Sequence, residues 1–192
     1  MITSVGLSKS YGRYEALHDF TLEIPKGEIL ALVGPNGAGK TTALKLLVGL
    51  LTPTAGEARL GGYSVLRQPL EAKRLLAFLP DQPFLYEPLT VEETLGFIGG
   101  MYRLAPDVLR VRAHELVSTL GLETHLQHRV GQLSYGMKSR LALVASLLHE
   151  PAVIILDEPF FGLDPQTLRL MKQLFVERAR QGATIMLSTH QL

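Results

Sequence analysis

The first 25 residues alternate loosely between apolar and polar positions and are broken by turn formers, as at Ser10-Tyr11-Gly12. They read as short antiparallel strands. Residues 29–33 form a short apolar run that enters a glycine-rich loop, and a helical pattern follows over residues 40–51; strand, loop and helix in that order open an α/β unit. Residues 52–56, Thr-Pro-Thr-Ala-Gly, mark a turn, and residues 75–79 a further strand. From about residue 90 to residue 149 the pattern is helical throughout. Leu95, Ile98 and Met101-Tyr102 recur at helical spacing, as do Leu109, Val111, Leu116 and Leu120, with Gly121 as a stop signal. Residues 152–156 are continuously apolar, as a strand buried on both faces requires. A helix over 166–181 and a last strand over 183–187 complete the chain. The reading is one α/β domain over 1–192. Residues 1–89 and 150–192 give the core with a β subdomain, and about 90–149 an inserted helical subdomain.

The apolar runs are too short to cross a bilayer, and the run 141–148 ends at His149-Glu150. The N-terminus lacks a basic region followed by a long apolar stretch, so a signal peptide and direct membrane insertion are not expected. Any link to a membrane must come through a partner. Lys plus Arg number 19 against 18 for Asp plus Glu, a formal charge of +1, which gives no basic stripe for nucleic acid. The chain has no cysteine, which excludes disulfides and thiolate metal sites and fits a reducing compartment. Apolar residues make up 46%, enough for a sizeable core.

Residues 34–42 read Gly34-Pro35-Asn36-Gly37-Ala38-Gly39-Lys40-Thr41-Thr42 and fit G-x-x-x-x-G-K-[ST] between a strand and a helix. Glycines let backbone N–H groups converge without a clashing Cβ, and the helix N-terminus favours an anion. Lys40 is then expected on the β and γ phosphates, the Thr41 hydroxyl on Mg²⁺, and Thr42 on an α-phosphate oxygen. The apolar run 152–156 ends in Asp157-Glu158-Pro159. A parallel strand delivers its last residues to the ligand edge of the sheet. Asp157 is therefore expected to hold Mg²⁺, directly or through water, and Glu158 to orient and polarise an attacking water.

A phosphate loop alone suits a GTPase, a kinase, a helicase or a transporter motor. Three further segments narrow the choice. Leu133-Ser134-Tyr135-Gly136-Met137, followed by Lys138-Ser139-Arg140-Leu141, is similar to the L-S-G-G-Q signature of the ABC ATPases. Gly162-Leu163-Asp164-Pro165 resembles the segment that follows that family's carboxylate pair, and Ser188-Thr189-His190 its switch histidine. The order and the span, from Tyr11 to His190, resemble the family across nearly the whole chain. The resemblance implies a P-loop NTPase core that binds and hydrolyses ATP with Mg²⁺. It implies a transmembrane permease subunit as partner and a position on the cytoplasmic face of the membrane. It also implies a second ATPase subunit, in a homodimer whose signature motifs act in trans. Tyr11 is expected to stack on adenine. Ser134 and Gly136 are expected on the γ-phosphate held by the other subunit, Asp164 at the subunit interface, and His190 on the γ-phosphate and the attacking water.

The chain departs from the family pattern in three places. Where the family has a glutamine that meets both Mg²⁺ and the membrane subunit, this chain has Asp81-Gln82, and either side chain suits the metal. The following Phe84, Leu85 and Tyr86 are expected against the membrane subunit. Tyr135 and Met137 replace commoner residues of the signature, a variation that resembles motors of drug, antibiotic and ion exporters. The sequence stops two residues past His190, where family members continue, so a shortened core with exposed apolar surface is the expectation. Two rivals remain open on sequence: a soluble ABC ATPase without a transport role, and a fragment without catalysis.

Overall fold

The computed structural model describes residues 1–190. Along the chain lie β1 (Ile2–Tyr11), β2 (Tyr14–Ile24), β3 (Ile29–Val33), α1 (Lys40–Leu47), β4 (Ala55–Leu60), β5 (Tyr63–Ser64) and α2 (Pro69–Arg74). Then follow β6 (Leu76–Leu79), α3 (Val91–Met101), α4 (Pro106–Thr119), α5 (Tyr135–Leu147), β7 (Val153–Asp157), α6 (Pro165–Arg180) and β8 (Thr184–Thr189). The described residues form two compact units. One holds Met1–Pro80, Pro151–Pro159 and the chain from Phe175 onward; the other holds Asp81–Glu150 and Phe160–Leu174.

The first unit contains two four-stranded sheets, an antiparallel one in the order β2-β1-β4-β5 and one in the order β3-β8-β7-β6 whose strands all run parallel. Helix α1 lies in the core they share. Its Leu44, Leu46 and Leu47 pack in one cluster with Ile2, Leu7 and Ile24 of the antiparallel sheet and Val153, Ile155 and Met186 of the parallel one. The continuous apolar run of β7 has its cause in position: β7 is an inner strand, and Val153, Ile154, Ile155 and Leu156 are fully buried. β3 is an edge strand, and its Ile29 and Val33 are each 43% exposed. Its register with β8 (Val33 opposite Thr189) and that of β7 with β8 (Asp157 opposite Ser188) bring three strand ends to one edge of the sheet.

One boundary differs from the sequence pattern. Helix α1 stops at Leu47 although apolar spacing continues to Leu51. Gly49 adopts φ +71°, its N–H donates to the Leu46 carbonyl, and the Leu50 N–H donates to the Lys45 carbonyl, so a Schellman turn closes the helix. The insert divides into three helices, with 3-10 turns at Glu123–His125 and Val130–Gln132. Thr90 and Glu93 start α3 with reciprocal capping bonds, and Gly121, at φ +63°, follows the end of α4. Helix α5 is apolar nearly all round because it is the buried helix of the second unit, with Leu141, Leu143 and Val144 fully covered.

Candidate active site

The loop between β3 and α1 closes on itself and on the neighbouring strand. The Gly34 N–H donates to the Thr189 carbonyl at 3.3 Å, and the Ala38 N–H to the Pro35 carbonyl at 3.3 Å. Gly39 has φ +88°, and a Cβ there would stand 2.6 Å from the Ala16 carbonyl oxygen, so strand β2 leaves no room for a side chain at the helix start. No side chain caps α1 and its first turn carries no acid, which leaves the N-terminal N–H groups and their field to a ligand. Lys40 is only 8% exposed; its Nζ donates to the carbonyls of Gly34 (2.7 Å) and Pro35 (3.2 Å) and lies 3.6 Å from Glu158 Oε1. The ammonium therefore sits inside the curve of the loop. Thr41 is exposed and Thr42 half-buried beside it.

The acids at the end of β7 are held by β8. Ser188 Oγ donates to Asp157 Oδ1 at 2.6 Å and accepts the Glu158 N–H at 3.0 Å. Asp157 is 2% exposed. Glu158 has φ +47°, a conformation disfavoured for a side chain with a Cβ, which turns its carboxylate off the strand direction. That carboxylate spans two partners: Oε1 faces Lys40, and Oε2 accepts the His190 N–H at 3.3 Å and lies 2.9 Å from His190 Nδ1. An ionised carboxylate can only accept, so Nδ1 carries a proton in this pair. Tyr11 ends β1 opposite Tyr14, on the hairpin whose Ala16 abuts Gly39. Its ring is half-exposed, and Lys9 Nζ stands 5.1 Å from the centroid.

The remaining expected residues fall in the second unit. Ser134 caps α5 by accepting the Met137 N–H at 3.3 Å. Gly136 lies in the first turn, where a Cβ would come 3.9 Å from Leu163. Asp164 caps α6. Its Oδ1 accepts the N–H groups of Gln166 and Thr167 at 3.0 Å each, and its Oδ2 accepts the Thr167 hydroxyl at 2.6 Å. The Thr167 hydroxyl, then the Thr167 N–H, hold the Asp164 carboxyl below the usual aspartate range. Asp81 and Gln82 are exposed on the segment that follows β6.

Comparison with known proteins gives this arrangement a lineage. A profile described as "ABC transporter" matches residues 17–161. The chain belongs to the ABC transporter family. It is 36% identical over 190 residues to the "Probable multidrug ABC transporter ATP-binding protein YbhF" of Escherichia coli (strain K12), covering 99% of this chain and 33% of that protein. It thus spans about a third of that curated relative's length. A solved structure titled "Structure of ATP binding subunit of ABC transporter" matches with TM-score 0.93 and 37% identity, over 100% of this chain and 80% of that one. A second, "Dimeric structure of a post-hydrolysis state of the ATP-binding cassette MJ0796 bound to ADP and Pi", matches with TM-score 0.88 and 28% identity, over 100% and 88%.

As an ABC domain, the chain brings together in its first unit the phosphate loop, Asp157, Glu158 and His190, with Tyr11 on the adjoining hairpin. Ser134, Gly136, Asp164, Asp81 and Gln82 are carried by the second unit. Sequence reasoning missed the work of Ser188, which fastens both acids. Nothing in a lone serine signals it; the register that sets it opposite Asp157 does. Arg140, just after the signature, donates to the Leu120 carbonyl at 2.9 Å and so ties α5 to the end of α4.

Proposed function

We propose that this chain binds and hydrolyses Mg-ATP and powers export through a separate transmembrane permease subunit, paired with a second ATPase subunit at the cytoplasmic face of the membrane. The observation that carries the proposal is the convergence of Lys40, Glu158 and His190 at the mouth of the phosphate loop. Lys40 leaves the loop carbonyls for the β and γ phosphates, and the N–H groups of residues 37–42 cradle them. Glu158, released from Lys40 by that movement, polarises the attacking water. His190 donates its Nδ1–H to Glu158 and so holds the carboxylate in place for the attacking water and the γ-phosphate. Tyr11 supplies a flat, accessible ring for adenine.

A metal fits the donor set. The Thr41 hydroxyl and the Asp157 carboxylate are hard oxygen donors of the kind Mg²⁺ takes. Mg²⁺ takes much of its shell from water and phosphate, so two protein donors suffice to hold it. When bound, Mg²⁺ neutralises charge that develops on the phosphate oxygens.

Export is supported by the multidrug label of the relative and by the variant signature. Pairing is supported by the dimeric form of the ADP- and Pi-bound neighbour. Among the described residues no helix is long and apolar enough to cross a membrane. Phe84 is 83% exposed, with Tyr86 beside it at 5.5 Å between ring centroids, and these rings give that partner an apolar landing place. Phosphate release by the purified protein with Mg-ATP tests the reading. Lys40→Ala should lose about 2 kcal/mol of charge-assisted contact, about thirtyfold in ATP affinity, with an unchanged circular dichroism spectrum. Normal turnover in Lys40→Ala would refute it.

A further inference from the structure

Tyr135 is the least expected residue of the signature segment, and the second unit gives it three neighbours. Its Oη donates to the Asp81 carbonyl at 3.1 Å. Its Cε1 and Cδ1 lie 3.5 and 3.6 Å from where a Cβ on Gly162 would stand. Gly162 has φ +70°, so the turn that receives the ring favours a residue without a side chain. Through its own carbonyl, which accepts the Ser139 hydroxyl at 3.1 Å, Tyr135 is also tied into the helix. Glycine, usual at this place of the signature, offers neither ring nor hydroxyl.

One turn further along α5, Lys138 Nζ donates to Glu87 Oε1 at 2.6 Å. Residues i and i+3 share a helix face. The same face therefore grips both ends of the segment 81–87, Asp81 through its backbone and Glu87 through its carboxylate. The Glu87 carbonyl also accepts the Gly131 N–H at 3.0 Å, just before the signature. Between the two grips lie Phe84 and Tyr86, the rings that face outward.

We infer that Tyr135 and Lys138 are positioning residues that clamp segment 81–87 to the first turn of α5. A displacement of that segment is then delivered directly to Ser134 and Gly136, and nucleotide contact at those residues is delivered back to Phe84 and Tyr86. The transmission rests on the proposed reading of Ser134 and Gly136 as nucleotide contacts; the clamp itself does not. Either grip alone is a modest, exposed interaction, and two at opposite ends of a seven-residue segment restrict both its position and its direction.

Hydrogen–deuterium exchange on the full-length protein tests both parts. Without nucleotide, Tyr135→Phe combined with Lys138→Met should speed amide exchange in 81–87 about fivefold, while α3 and α4 keep their protection. Lys138→Glu combined with Glu87→Lys, in the Tyr135 parent, should keep the parental rate. Unchanged exchange in 81–87, or an equal rise through α3 and α4, overturns the clamp whatever the protein does with ATP. For transmission, Mg-ATP added to Glu158→Gln protein should slow exchange in 81–87. The same addition to Glu158→Gln carrying the two clamp substitutions should leave that segment unaffected while light scattering still reports ATP-driven association. An equal slowing in both proteins overturns the transmission. A Glu158→Gln protein that ignores ATP by both readouts refutes the ATPase reading, and the nucleotide-free arm still decides the clamp.

Discussion

At the scale of single residues, the site rests on a few carboxylate oxygens placed by neighbours. Glu158 is the central one. It holds an unfavourable backbone conformation and balances between the Lys40 ammonium and the His190 imidazole. A residue kept at positive φ without glycine implies that its side-chain direction matters more than its local cost. Glu158→Gln keeps the shape and the hydrogen-bond reach but removes the base proposed above. We expect it to bind ATP with affinity close to that of the parent and to lose turnover by about a thousandfold, the scale of general-base catalysis. Filter binding with labelled ATP beside a phosphate-release assay checks this. Weakened binding together with normal turnover would assign the base elsewhere. Asp157 is buried and fastened by Ser188, which suits the metal-holding role proposed for it.

At the scale of elements, α6 shows how much a single carboxylate can fasten. Asp164 was expected at a subunit interface, and within the chain it caps α6 through both carboxylate oxygens. The cap gives a pH dependence of definite sign. The folded-state pKa of Asp164 is depressed, chiefly by the Thr167 hydroxyl, so its stabilisation is complete above the unfolded-state value of about 3.9 and is lost as pH falls through the lower folded-state value. Asp164→Ala should therefore melt at a lower temperature than the parent at pH 7, and the gap should narrow progressively below about pH 4. Asp164→Asn, whose amide oxygen still accepts backbone N–H groups, should lose less. Thermal melts of the three proteins at pH 7 and pH 3 check the order, and a gap constant across that range would contradict it.

At the scale of the whole molecule, the two sets of motif residues belong to different compact units. The phosphate loop already has its own lysine, acids and histidine. In the proposed reading, Ser134 and Gly136 meet the γ-phosphate held by a second copy, and ATP would gain its second set of contacts only in the closed pair. Glu158→Gln should pass from monomer to dimer on adding Mg-ATP and remain monomeric with ADP. Adding Ser134→Arg should abolish the shift, because a bulky cation replaces a small hydroxyl at the contact. Light scattering of a monomer in saturating Mg-ATP at micromolar protein would exclude the homodimer and leave pairing with a different motor subunit.

The sequence by itself determined the α/β class, the inserted helices, the phosphate loop and the acids at the end of β7. Each of those is a local pattern: periodicity of apolar residues, glycines where N–H groups converge, an apolar run ending in charge. It did not place the end of α1, because apolar spacing continues past Leu47 and the Gly49 turn overrides it. Nor could it pick out Ser188, whose role comes from strand register across 31 positions of chain, or the capping of α6 by both oxygens of Asp164. The grip of Tyr135 on Asp81 spans 54 positions. Such roles were decided only when the chain folded, because hydrogen bonds are made between groups that meet in space, and linear spacing carries no record of which distant groups will meet.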